Sequence, residues 1–316
     1  MNTPQPLKDK EIDISVVIPV YNSEDNLPEL SKQIKKSLDS LTYELIFITD
    51  QSLDGSWVAI TQLALKDESI IGINLRKNSG QDNAIFAGIQ YSKGRYVVIM
   101  DDDLQHSPAD ILRLYEEIKK GYDLCYANFH NKKQALWKNI GSWFNGKMAE
   151  IFIGKPKNIY LSPFKIIRRD VINEVKITNY LYPYIDGLLF SITSNITQIN
   201  VKHYDRFSGV STYTFLESVK VFIKLATGFS VLPLRVASFV GFSTSVIGLL
   251  LSLYYISEFF LFNSAPQGFT TIVVLLLILG GITLMSLGVI GEYLGRIYLS
   301  INKNKSYTIK KELNNE

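Results

Sequence analysis

The chain has 316 residues, enough for one large domain or two smaller ones, and its formal net charge of +3 gives no global field with which to capture nucleic acid. A single cysteine, Cys125, excludes an intrachain disulfide and a cysteine-based zinc site, and the three histidines show no metal-ligand spacing. The hydrophobic fraction of 47% is high for a purely water-soluble enzyme, and the excess lies beyond about residue 230.

The segment Met1 to Glu11 is polar and lacks an apolar stretch of the kind a signal peptide needs. Ile12 to Val20 is a β-rich run, followed by a turn at Tyr21-Asn22-Ser23. Glu24 to Leu41 places Leu27, Leu30, Ile34 and Leu38 at helical spacing. Leu45 to Thr49 reads as a buried strand ending at Asp50-Gln51-Ser52-Leu53-Asp54-Gly55, and a helix pattern then covers Trp57, Ile60, Leu63 and Ala64. Ile70 to Leu75 is a third strand, Gly80 opens a helix through Ile85 and Ile89, and Tyr96 to Met100 is a fourth strand. Strand and helix alternate four times with short links, which predicts a mostly parallel, doubly wound α/β sheet. A helix from Pro108 to Lys120 and a fifth strand from Asp123 to Ala127, which holds Cys125, continue the pattern. The polar clusters at Tyr21-Asn22, Asp50 to Asp54, Asn78 to Gln81 and Asp101 to Gln105 all follow strands, so they gather on one edge of the sheet, where open α/β folds bind ligands.

The densest of these clusters is Asp101-Asp102-Asp103-Leu104-Gln105. Adjacent carboxylates repel by roughly 3 kcal/mol per pair at an effective dielectric near 20. Two readings follow: hard oxygens holding Mg²⁺ or Mn²⁺ against a diphosphate, or a solvated acidic turn capping the next helix. Neither Gly-x-Gly-x-x-Gly nor Gly-x-x-x-x-Gly-Lys-Ser occurs where a dinucleotide or P-loop fold would need it. A diphosphate here must therefore be held by metal and side chains.

Gln134 to Ile153 sets Trp137, Trp143, Phe144 and Phe152 among Lys133, Lys138 and Lys147, a composition that fits either a membrane surface or packing against the sheet. Thr214 to Phe229 is similar. Val236 to Phe262 and Thr270 to Ile290 each exceed the ~20 apolar residues that span a bilayer. The loop Asn263 to Phe269 carries no Lys or Arg, whereas Arg235 precedes the hairpin and Arg296, Lys303, Lys305, Lys310 and Lys311 follow it. The positive-inside rule then puts both ends and the large domain in the cytoplasm. The expected organisation is a large cytoplasmic α/β domain over 1–213, an amphipathic helix over 214–234, two spans within 235–291 and a cytoplasmic tail over 292–316.

Several motifs carry a family resemblance that covers about residues 12 to 309. They are Ser15-Val-Val-Ile-Pro-Val-Tyr-Asn22, Asn78-Ser-Gly-Gln81, Met100-Asp-Asp-Asp-Leu-Gln105, Arg206-Phe-Ser-Gly-Val-Ser-Thr-Tyr213, Phe229-Ser-Val-Leu-Pro-Leu-Arg235 and Gly291-Glu-Tyr-Leu-Gly-Arg-Ile-Tyr298. In this order they resemble the polyprenyl-phosphate branch of the family 2 glycosyltransferases, which have a GT-A fold. The resemblance implies an inverting transfer of one sugar from a nucleotide sugar, UDP-linked by expectation, to polyprenyl (undecaprenyl) phosphate at the bacterial plasma membrane, by a homo-oligomer such as a tetramer. It assigns the nucleotide sugar to Pro19, Tyr21, Asp50, Gln51, Asp101 and Asp102, and a divalent metal, Mg²⁺ or Mn²⁺, to Asp101, Asp103 and Gln105. Catalysis falls to Asp102, Asp103 and Arg206, and the acceptor phosphate to Lys138, Ser142, Ser211 and Tyr213.

The chain departs from the family pattern at Gln51, Ser23 and Thr212. Gln51 and Ser23 keep open a reading as a catalytically impaired membrane scaffold. A processive polysaccharide synthase would need a Gln-x-x-Arg-Trp motif, which Gln134-Ala-Leu-Trp-Lys is not. Asp186 fits a contact to a sugar hydroxyl or amine, or equally a surface acid or helix cap.

Overall fold

A computed structural model describes residues 11–129, 146–177, 183–202, 231–262, 268–301 and 306–314. The chain divides into two compact units, one of residues 1–218 with 305–316 and one of residues 219–304.

The first unit is an α/β sheet of eight strands in the order β7-β5-β6-β4-β1-β2-β3-β8. Its centre is β1 (Ile14–Val20), β2 (Tyr43–Thr49), β3 (Ile70–Leu75) and β4 (Tyr96–Ile99), all parallel. Every residue of β1 is buried, as a strand covered on both faces requires. The crossovers are α1 (Leu27–Ser37), α2 (Ser56–Ala64) and α3 (Gln81–Tyr91), in the alternation expected from the sequence. Helix α1 is shorter than its periodicity because Pro28, which lacks an N–H, fits only its first turn. Leu27, Leu30 and Ile34 face the core. Helix α3 lies tight on the sheet through Gly88, where a Cβ would come within 2.5 Å of Val17 Cγ1 and 2.6 Å of Ile48 Cδ1.

Beyond β4 come α4 (Asp110–Ile118), β5 (Leu124–Phe129), β6 (Lys165–Arg168), α5 (Arg169–Ile177), α6 (Ile185–Ile192) and β7 (Ile196–Val201). Strand β6 inserts antiparallel between β4 and β5, and β7 closes that edge parallel to β5. Cys125 is buried in β5, as expected for a core residue.

The second unit holds α7 (Leu232–Phe262) and α8 (Phe269–Ile301), of 31 and 33 residues. At about 1.5 Å per residue, each exceeds the roughly 30 Å of a bilayer's hydrocarbon core. Within them, Leu232–Leu251 and Ile278–Leu299 are long and apolar enough to cross a membrane, with mean hydropathies of 1.7 and 1.5. Phe239, Phe242, Leu249 and Leu284 are exposed rather than packed into a core, which disfavours a buried hairpin of a water-soluble domain. The segment read from sequence as a tail contains the end of α8 and then β8 (Ile309–Leu313). That strand pairs antiparallel with β3 as the far edge of the sheet.

Candidate active site

The parallel strands β1, β2 and β4 end side by side, and their C-terminal ends carry Tyr21, Asp50-Gln51 and Asp101 to Asp103. Met100 continues the β4 ladder through its N–H to Val17 O (3.2 Å), so the acids begin where pairing stops. Leu104 has φ +59°, a left-handed turn that folds the acidic run back on itself. Within that turn the Gln105 N–H donates to Asp103 Oδ1 at 3.1 Å. His106 anchors its far end, buried and stacked parallel between Phe129 and Phe164 with centroids 5.0 and 5.3 Å away. No role for His106 is legible in the chain, because both aromatic partners are distant in it.

Asp101 is half-buried and its carboxyl is pushed up to about 7, first by burial and then by repulsion from Asp103 and Asp102. The charge of Lys165 and a hydrogen bond from Gln81 Nε2 to Asp101 Oδ1 (2.8 Å) act the other way. Asp102 is pushed up to about 6 by burial, held down by the Ser23 hydroxyl and by the Tyr21 N–H, which reaches its Oδ2 at 3.3 Å. The Tyr21 side chain is half exposed at this edge.

Asp50 is buried, and its two oxygens accept the N–H groups of Ser79 and Gly80, both at 2.7 Å. Burial raises its carboxyl and these two bonds partly offset the rise. Gln51, at φ +57°, accepts the Asn78 N–H on Oε1 at 2.8 Å. Asp50 and Gln51 therefore hold the loop 78–80, which delivers Gln81 to Asp101. Pro19 lies inside β1 and is buried. Of the three departures from the family pattern, Ser23 and Gln51 have structural work, one bracing Asp102 and the other the loop, and Thr212 lies outside the described residues.

Asp186, in the first turn of α6, accepts the Tyr126 hydroxyl at 2.7 Å and pairs with Lys165 on the same oxygen. It is a paired acid of the interior face rather than an isolated surface charge. Lys138, Ser142, Arg206, Ser211, Tyr213 and the amphipathic segment 214–229 lie outside the described residues.

Among the described residues, no three His, Cys, Asp or Glu side chains converge as a closed cation cage. The donor set still fits a hard divalent ion. Asp101 and Asp103 are repelling oxygens at a strand end with the Gln105 carboxamide two residues on, and Mg²⁺-type ions are typically bound by one or two carboxylates plus substrate phosphates.

A mixed α/β sheet with a braced carboxylate run at the C-terminal end of a central parallel strand defines the chain as a GT-A-type protein. The glycosyl transferase family 2 profile matches residues 15–176, and the chain belongs to that family. It is 32% identical over 303 residues to undecaprenyl-phosphate 4-deoxy-4-formamido-L-arabinose transferase from Proteus mirabilis, covering 94% of this chain and 93% of that one. It is 28% identical over 302 residues to the SfII prophage-derived bactoprenol glucosyl transferase of Shigella flexneri, covering 94% and 97%. Glucosyl-3-phosphoglycerate synthase from Mycobacterium tuberculosis, solved with Mn²⁺, UDP-glucose and phosphoglyceric acid, superposes with a TM-score of 0.51 at 16% identity over 68% of this chain and 78% of that one. That likeness is one of fold.

Proposed function

We propose that this protein transfers one sugar from a nucleotide sugar to a polyprenyl phosphate, releasing a nucleoside diphosphate. One observation carries the reading: a family 2 carboxylate site and two bilayer-length apolar helices occur in one chain that matches undecaprenyl-phosphate sugar transferases over nearly their whole length. An acceptor whose phosphate lies at headgroup height gives a transferase reason to carry its own membrane hairpin.

Asp101, Asp103 and Gln105 would hold a divalent cation, Mg²⁺ or Mn²⁺. Bound there, the ion would neutralise the charge that develops on the leaving diphosphate. Gln81 and the loop held by Asp50 fix Asp101, and the Tyr21 N–H and Ser23 fix Asp102 near the donor. By family resemblance, Arg206 adds a second cation for the diphosphate, and Lys138, Ser142, Ser211 and Tyr213 receive the acceptor phosphate. That phosphate is ionised at neutral pH, so inversion at the anomeric carbon needs no strong general base. The charge pattern supports a cytoplasmic site at a bacterial inner membrane, and the family supports a homo-oligomer. The impaired-scaffold reading loses its support, because Ser23 and Gln51 are built into the bracing of the site.

Radiolabelled transfer tests this. Purified protein in detergent receives undecaprenyl phosphate, Mg²⁺ or Mn²⁺, and a panel of UDP-, GDP- and dTDP-sugars. One sugar should enter the organic phase, and the label should vanish with chelator and in Asp103→Ala. Transfer that survives both chelation and that substitution would overturn the assigned site. Failure of every nucleotide to bind would overturn the enzyme reading.

A further inference from the structure

Lys165 lies on β6 opposite Ile99 of β4 on one side and Tyr126 of β5 on the other, so it sits beside the strand end from which Asp101 emerges. Its side chain is only 4% exposed. The ammonium pairs with Asp186 and sits 5.1 Å from the Tyr126 ring centroid, over its face. Tyr126 donates its hydroxyl to the same Asp186 oxygen, and burial next to that carboxylate pushes the phenol well above its ordinary value, so it remains a donor. Three elements, β5, β6 and α6, thus fix one cation. A buried ion pair is a poor source of stability, since apolar replacements of equal volume often do as well. Its position next to the repelling acids offers a different use.

We infer that Lys165, fixed by Asp186 and Tyr126, is a positioning residue whose charge sets how strongly Asp101 and Asp103 hold a divalent cation. The inference rests on the metal reading of the site proposed above. Physically, the acids alone would bind the ion tightly and release it, together with the product diphosphate, slowly. A fixed positive charge alongside weakens that grip. Asp186 in turn moderates Lys165 and keeps the ammonium from collapsing onto Asp101.

The two partners therefore act on metal affinity with opposite signs. Lys165→Met removes a positive charge and should tighten Mn²⁺ binding by about tenfold, while Asp186→Asn unmasks that charge and should weaken it by a similar factor. The measurement is a Mn²⁺ titration of the full chain in detergent, with and without UDP, read from the electron paramagnetic resonance signal of the free ion. Thermal unfolding is recorded alongside. If Lys165→Met fails to fold, the double variant Lys165→Met/Asp186→Leu leaves no charge unpaired and, because the two opposite effects cancel, should bind Mn²⁺ within about twofold of the wild type, while Asp186→Asn alone must still weaken binding. A packing role would move both single variants in the same direction or leave affinity unchanged, and either result overturns the inference while leaving the proposed function standing. A wild-type chain that binds no Mn²⁺ under either condition overturns the metal reading and this inference with it.

Discussion

Asp101 is pushed up to about 7 and Asp102 to about 6, each first by burial. Their ordinary value is about 3.9. In that window the folded chain holds protons that the unfolded chain has released, so the two groups contribute stability at low pH that is lost as pH rises through 6 to 7. The metal-free protein should therefore have a lower urea midpoint at pH 8 than at pH 5, and Asp101→Asn should flatten the difference. A midpoint that is the same at both pH values would refute this account of the cluster. Asp50 makes a second prediction at this scale. Asp50→Asn turns one acceptor of two part-buried N–H groups into a donor, which should cost about 1 to 3 kcal/mol in chemical denaturation and raise the KM for the donor through loss of the loop 78–80. The run Asp101 to Gln105 could be read directly from the chain, because three adjacent acids after a buried strand are conspicuous. The work of Asp50 and Gln51 could not. Their partners lie 27 to 30 residues away and are backbone groups, which carry no signature in the sequence.

At the scale of elements, the central β-α alternation was legible because β1 to β4 and α1 to α3 are each held by their own apolar period. The flanking strands were not. Strand β6 is only four residues long, and β7 is a half-buried edge whose side chains show little alternation. Strand β8 reads Ile-Lys-Lys-Glu-Leu, a solvated tail by composition, and becomes a strand only through the edge that β3 offers. Close packing of these elements gives a ranked prediction. A Cβ at Gly94 would lie 2.6 Å from the backbone nitrogen of Ser15 and 2.8 Å from the Ile14 carbonyl carbon, at the start of β1, where the contact is with backbone that cannot rotate aside. A Cβ at Gly88 meets only the side chains of Val17 and Ile48, which can rotate in part. Both alanine substitutions overpack, at a typical cost of about 1 to 3 kcal/mol, and Gly94→Ala should be the more damaging in thermal unfolding. The reverse order would mean that the α3–β4 connection is looser than its geometry.

For the whole molecule, the decisive feature is that the catalytic unit is discontinuous. The chain leaves it, builds the apolar hairpin and returns to add β8. That return is held by more than ladder bonds. Glu312 accepts the Tyr91 hydroxyl at 2.6 Å, Asn314 Nδ2 donates to Ala64 O and Ile70 O at 2.8 and 3.0 Å, and the Tyr307 ring meets Phe86 edge-on. Gly72 of β3 has no room for a side chain, because Leu313 and Ile60 fill the space. A chain cut before the hairpin, at residue 230, loses all of this and exposes β3 as a bare apolar edge, the kind of surface that pairs with other chains. A chain in which residues 231–304 are replaced by a flexible linker of about 20 residues keeps β8. The first should melt about 5–10 °C below the second and aggregate sooner, a gap that corresponds to a few kcal/mol in a unit of this size. Neither should transfer sugar to polyprenyl phosphate in vesicles at the rate of the full chain. Equal melting temperatures would show that β8 is a passive passenger. The expected gap would mean that the hairpin is an insertion inside the catalytic unit, so that loss of the membrane segment by truncation also unfastens the sheet that holds Asp50 and Asp101.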